Sequence, residues 1–153
     1  EQDDYFYTRF LVRYNTDQSK KWSAGLRYGF GNFYDGKRNT FRFSARLAPI
    51  PHFAITFDYE YNDLENIGFV DQNLETHLTS VGVRLALNPR LQLSSFYQYN
   101  SFNEQGRLNI RGSWEYLPLS FVYVVFNDNE LDSFSPSVNE QQVISKVTLI
   151  RQF

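Results

Sequence analysis

Apolar and polar residues alternate with a period of two along almost the whole chain, which is the pattern of half-buried β-strands. Nine segments carry it: 5–14, 22–34, 40–48, 53–62, 76–87, 91–100, 107–116, 121–127 and 142–153. No stretch of helical length holds an apolar period of 3.6, and no linker or low-complexity tract divides residues 1–153, which read as one domain. Pro49, Pro51, Pro89 and Pro118 fall in short connections and Pro136 in a longer one, where a missing N–H costs no ladder bond.

Sorting the segments by parity separates two faces. One face carries Phe10, Val12 and Tyr14; Trp22, Leu26 and Tyr28; Phe41, Phe43 and Leu47; Phe53, Ile55 and Phe57. It continues through Val81, Val83, Leu85, Leu91, Leu93, Tyr97, Leu108, Ile110 and Trp114 to Val143, Val147, Leu149 and Phe153. The other face carries Arg9, Arg13, Arg27, Arg42, Arg46, Asp58, Glu60, Arg84, Arg111, Glu115 and Lys146, against a single charge, Arg151, on the apolar face. Segment 121–127 is apolar on both sides and belongs to neither count. Alternation alone also fits a soluble antiparallel sheet or sandwich with its charges in water.

Three features favour a membrane barrel over a soluble sheet. The connections divide into short ones (15–21, 49–52, 88–90, 117–120) and longer ones (35–39, 63–75, 101–106, 128–141), which a meander would place at opposite ends. Aromatics gather where apolar-face strands end: Tyr14, Trp22, Phe53, Tyr116 and Phe153 at one end, Phe6, Phe30, Phe41, Tyr61 and Tyr99 at the other. These are candidates for two interfacial girdles. The charged face is rich in arginine and small residues, as a hydrated, crowded lumen would be. The expected fold is therefore all-β: an antiparallel transmembrane β-meander of about nine strands, forming the C-terminal part of an outer-membrane β-barrel.

Composition narrows the function. Phe, Tyr and Trp make up 18% of the residues, enough to cover one face of every strand. A net charge of −2 disfavours a nucleic-acid partner, and the absence of cysteine removes disulfides and thiolate metal sites. No run reaches the ~20 apolar residues of a membrane helix. Residues 1–10 lack the basic and apolar regions of a signal peptide, so the chain reads as mature, trimmed, or part of something longer. Nine strands are odd, whereas single-chain bacterial barrels have even counts, so at least one earlier strand is expected upstream or from a partner chain.

The last strand, "VISKVTLIRQF", resembles the closing strand of bacterial outer-membrane barrels. The resemblance implies that Phe153, with Leu149 and Val147 in step behind it, is the signal read by the barrel-assembly machinery. A narrower likeness rests on "RLNIRGSWEYLPLSFVYVVFND". Arg111, Trp114, Tyr116 and Pro118, the strand from Phe121 to Phe126, and Asn127 resemble the penultimate hairpin of a Bacteroidota outer-membrane family of unknown function. Those proteins carry an N-terminal family-9-like carbohydrate-binding module, to which nothing here corresponds. The chain departs from the family at Leu117, Leu119 and Ser120, where a basic residue and a Gly are expected.

Catalytic and metal chemistry finds little support. His52 lies in a turn, His77 falls on the apolar face, and no nucleophile elbow, P-loop or H-E-x-x-H occurs. "NDNELD" offers Asp128, Glu130 and Asp132 but lacks the Gly of an EF-hand loop. The expectation is a non-enzymatic barrel of the Gram-negative outer membrane, a scaffold or conduit for a larger protein, in contact with outer-membrane lipid and needing no cofactor or metal. The eight basic lumen residues against three acidic ones leave open an anion-favouring pore; a soluble β-domain binding a ligand or partner is the further alternative.

Three register expectations follow from tight hairpins. Arg42 should meet Asp58 or, one pair along, Glu60. Pairing Tyr14 with Trp22 would set Tyr7 opposite Gly29. Pairing Leu87 with Leu91 would set Phe96 opposite Gly82, its ring covering the bare backbone.

Overall fold

Every alternating segment becomes a strand. The computed structural model describes residues 8–33, 36–67, 72–130 and 140–150. The strands are β1 (Arg9–Asn15), β2 (Trp22–Phe33), β3 (Gly36–Ile50), β4 (Phe53–Ile67), β5 (Gln72–Asn88), β6 (Leu91–Asn100), β7 (Gln105–Leu117), β8 (Ser120–Glu130) and β9 (Glu140–Thr148). They form one antiparallel sheet in sequence order. Several run beyond the alternating segments. β3 starts at Gly36 rather than residue 40, and β4 and β5 add the polar stretches 63–67 and 72–75. Ladder bonds do not require apolar side chains, so a strand outlasts its hydrophobic pattern.

That extension corrects the expected division of the connections. Residues 34–35 alone separate β2 from β3, whereas 16–21 separate β1 from β2. The asymmetry survives only further along, where 51–52, 89–90 and 118–119 at the turn end contrast with 68–71, 101–104 and 131–139 at the loop end.

The register carries a steady drift. Starting at Asn15, the last residue of β1, paired residues lead through Gly25, Ser44, Asp58, Ser80, Gln98, Arg107 and Asn129 to Glu140, the first residue of β9. Crossing eight strand gaps of about 4.8 Å thus moves the row eight residues, at about 3.3 Å each, from the turn end of β9 at Thr148. The strands lean by about 35° relative to the line of turns, which is the lean strands need to close a barrel. Among the described residues the sheet itself is open: β1 pairs only with β2, and β9 only with β8.

The pairing keeps the two faces unmixed, and β8 joins both. Val122, Val124 and Phe126 lie on the apolar side, while Phe121, Tyr123 and Val125 share the charged side with Arg111 and Lys146. Burial is inverted relative to a soluble domain. Ser23, Thr40 and Ala54, all on the polar face, are buried, whereas Val12, Tyr14, Trp22, Leu87, Val143 and Val147 are exposed. The accessible surface is 11820 Å², against about 8,100 Å² for a compact monomer of 18.1 kDa. Among the described residues, no large hydrophobic side chain is fully buried on the apolar side.

Two register expectations need correction. Tyr14 pairs with Leu26, not Trp22, so Gly29 faces Leu11; Tyr7 lies outside the described residues. The connection is not a simple hairpin. Thr16 N–H donates to Ala24 O and the Thr16 hydroxyl accepts from Ala24 N–H, while Phe10 stacks on Phe30 at 5.3 Å. Phe96 does oppose Gly82, but its ring does not cover it. A Cβ on Gly82 would first meet Thr56 Oγ1 at 2.5 Å, because Thr56 is in register with Gly82 from the other side. Gly31 and Gly36 are required for another reason: a side chain at either would strike the backbone of Thr8 or of Glu65 and Asn66.

Candidate polar-face site

Register alone brings the eleven charges together. β-strand parity puts Arg9, Arg13, Arg27, Arg42, Arg46, Asp58, Glu60, Arg84, Arg111, Glu115 and Lys146 on one continuous surface. The main clefts open on this face. One of about 460 Å³ is lined by Arg13, Arg27, Arg42, Asp58 and Glu60 together with Leu78 and small polar residues.

The half towards the loop end is braced. Arg42 meets Glu60 at 2.8 Å, as expected for the slipped register. Asn62 Nδ2 donates to Glu60 Oε1 at 3.0 Å, and Asn62 Oδ1 accepts from Arg38 at 3.1 Å and from the Thr40 hydroxyl at 3.0 Å. Arg38 Nε also donates to Thr40 Oγ1 at 3.2 Å. Thr40, 4% exposed, is thus both donor and acceptor at the centre of a two-strand network. Sequence reading missed Thr40 and Asn62 because they are uncharged and lie at the ends of their alternating segments, and Arg38 because it fell in the expected connection 35–39. Parity was the signal that could have found them: they continue the even-numbered polar series of β3 and β4.

Towards the turn end the arginines stand apart. Arg46 pairs with Ser23 and Thr56, and Arg84 lies between Ala54 and Ser94, with Arg111 on the far side of Ser94. None of these three arginines has a hydrogen-bond or ion-pair partner among the described residues. The nearby Glu115 carboxylate is engaged elsewhere, accepting from Leu119 N–H at 2.9 Å. Lys20 and Lys21 join Arg46 and Arg84 around a cleft of about 240 Å³ with no acidic residue in its wall. A second cleft, about 290 Å³, has Arg46 and Arg84 on its sides and Ala54, Thr56 and Gly82 in its floor.

Elsewhere the pattern is structural. Leu149 and Val147 stand on the apolar face, each 67% exposed, and Phe153 lies outside the described residues. Ser120, fully buried, ties the start of β8 to the end of the chain: its hydroxyl accepts from Ile150 N–H at 3.1 Å. His77 lies on the apolar face as expected, with Nδ1 2.8 Å from the Tyr59 hydroxyl and Tyr61 alongside. His52 lies in the 51–52 turn, and its carbonyl accepts from Ala86 N–H. Asp128 and Glu130 end β8, while Asp132 lies outside the described residues. In the 16–21 connection, the Asp17 carboxylate accepts from the backbone N–H and the hydroxyl of Ser19, which hold its pKa below the usual carboxylate value.

No family model matches the chain, and no curated protein matches it significantly.

Proposed function

We propose that this chain is part of an outer-membrane β-barrel, with its apolar face towards lipid and its charged face towards the lumen. The observation that carries the reading is the uneven distribution of surface: most of the exposed aromatic and aliphatic side chains fall on one face, whereas the clefts and the buried Ser23 and Thr40 lie on the other. A soluble sheet would leave that apolar band in water, where patches beyond a few hundred Å² are rare in monomers. The dimensions fit as well. The apolar run of β4 from Phe53 to Tyr61 covers nine residues and that of β5 from His77 to Leu87 eleven, matching the ~9–11 of a tilted membrane strand. Beyond them the same face turns polar, where Asp63 pairs with Asn39 and Glu75, and Lys37 with Glu65.

Two open edges cannot remain bare in hydrocarbon, where each unsatisfied backbone group costs several kcal/mol. In this reading further strands complete the ring, and the barrel acts as a non-enzymatic scaffold or conduit for a larger protein. The likeness to the Bacteroidota family, mainly over residues 91–153, and that of the C-terminal strand to an assembly signal accord with such a role in the outer membrane.

The test is folding. In the full-length protein this region should acquire β-structure and heat-modifiable gel mobility only with detergent or lipid, and brominated lipids should quench Trp22 and Trp114. Folding in plain buffer with both tryptophans unquenched would remove the membrane reading. Planar-bilayer conductance then separates conduit from scaffold.

A further inference from the structure

The arginines of the charged face are used differently: Arg13 and Arg27 have no direct partner among the described residues but share a cleft with Asp58 and Glu60. Arg38 and Arg42 are tied into the Thr40–Asn62–Glu60 network, whereas Arg46, Arg84 and Arg111 alternate with Ser, Thr, Ala and Gly and have no partner among the described residues. The residues between them are Thr56, Ala54, Gly82 and Ser94, and no carboxylate lines the clefts that Arg46 and Arg84 share, so their positive charge is not offset there. Small residues are what make the space. Ala54, Thr56 and Gly82 leave a floor between Arg46 and Arg84, and a side chain on Gly82 would press into Thr56. Lys20 and Lys21 add charge at the turn-end mouth.

We infer that this arc of Arg46, Arg84 and Arg111 is a binding site for a small oxyanion carrying two or more negative charges, of the phosphate or polycarboxylate class. Planar guanidinium groups present paired donors that match two oxygens of such a group, which a monovalent halide cannot exploit. The clefts, at about 240 and 290 Å³, are both lined by Arg46 and Arg84, with Arg111 adjoining them across Ser94, and they suit a small molecule. Neither cleft is lined by an aromatic side chain, the kind of anchor that a protein partner would bury. An acidic peptide is therefore the less favoured occupant.

The inference rests on the reading of this face as a lumen wall, and the experiment separates the two. The full-length protein in neutral detergent is titrated with inorganic pyrophosphate at constant ionic strength in chloride, with binding followed by calorimetry. Saturable binding is expected. It should weaken at least tenfold in R46Q/R84Q and remain within twofold of the parent in R107Q, which removes a charge from the loop end of the same face. Where R46Q/R84Q does not fold, the exposed single variants R84Q and R111Q carry the same comparison. Binding unchanged in these variants, or weakened equally by R107Q, would overturn the site. Saturable binding of hexaglutamate without pyrophosphate would reassign it to a peptide. A protein that folds in plain buffer would sink the barrel reading, yet the titration in that buffer would still decide the anion site.

Discussion

Trp22 and Ser23 are neighbours in β2, yet Trp22 is 61% exposed and Ser23 only 7%. The inversion is local: Thr40 and Ala54 on the polar face are also buried, but in the middle of β3 Arg42 and Ser44 are exposed while Phe41 and Phe43 are half-buried. On the apolar face, rings meet both across strands, as in the pair Phe43 with Phe57, and along them, as in Tyr28 with Phe30. On the polar face, side chains are knitted by hydrogen bonds, and no buried side-chain polar atom lacks a partner among the described residues. A soluble domain gains its stability by hiding the first kind of surface. Here that surface has no protein partner, so in the proposed reading the medium supplies the apolar environment and the protein supplies polar specificity.

The largest effect should come from putting a charge on each face in turn. Val81→Arg, mid-strand on the apolar face, should cost about 2–4 kcal/mol in a bilayer, as a midplane charge does. Ser80→Arg, one residue away on the polar face, should cost less than about 1 kcal/mol by the same reasoning. Urea unfolding from lipid vesicles measures both, and equal losses would erase the distinction between the faces.

Next in size is the Thr40 network. Thr40→Val keeps the shape but removes the donor to Asn62 and the acceptor for Arg38, and should cost about 1–2 kcal/mol. Phe57→Leu, on the opposite face of the adjacent strand, exchanges one apolar surface for another and should cost less than about 1 kcal/mol in lipid. A larger loss at Phe57 than at Thr40 would place the packing energy on the wrong side.

Smaller still is the turn at Pro118. Leu119 sits at φ 63°, a left-handed conformation that costs an L-residue about 1–2 kcal/mol. Leu119→Gly should therefore stabilise by up to about 1 kcal/mol after the entropy gained by the unfolded chain is deducted. Equilibrium unfolding checks it, and destabilisation would mean that Leu119 is held by contacts outside this turn.

The least effect concerns pH at the 16–21 connection. Hydrogen bonds from Ser19 lower the Asp17 pKa, so their stabilisation is present above the ordinary carboxylate range and is lost as pH falls through the lowered value. The protection of the Ser19 amide, measured against its intrinsic exchange rate at each pH, should fall on acidification in the parent and show no such step in Asp17→Ala. A step that persists in the variant would assign the titration to another group.

How much was legible varies with how local the cause is. All nine strands were readable because side-chain alternation is a property of each strand alone. The Arg42–Glu60 bridge was readable to within one pair, since few registers bring two opposite charges together across a short turn. The arginines that lack partners were not readable. Arg46 and Arg42 sit four residues apart on one strand, and only the neighbours on β2 and β4 distinguish them: Ser23 and Thr56 beside Arg46, Arg27 and Glu60 beside Arg42. The Ser120 tie to Ile150 was equally hidden, because it joins positions thirty residues apart.

By itself, then, the sequence determined the strands and the partition of their side chains into two faces, because a period of two follows from the covalent geometry of an extended chain. Only the tertiary structure decided the register of β1 on β2, the lean of about 35° expected of barrel strands and the division of the charged face into braced and unbraced halves. Those depend on which residues of neighbouring strands end up side by side. Each register is set by the turn that joins the strands and by the pairs that fit across them, and a shift of two residues changes every partner while leaving the pattern along each strand untouched.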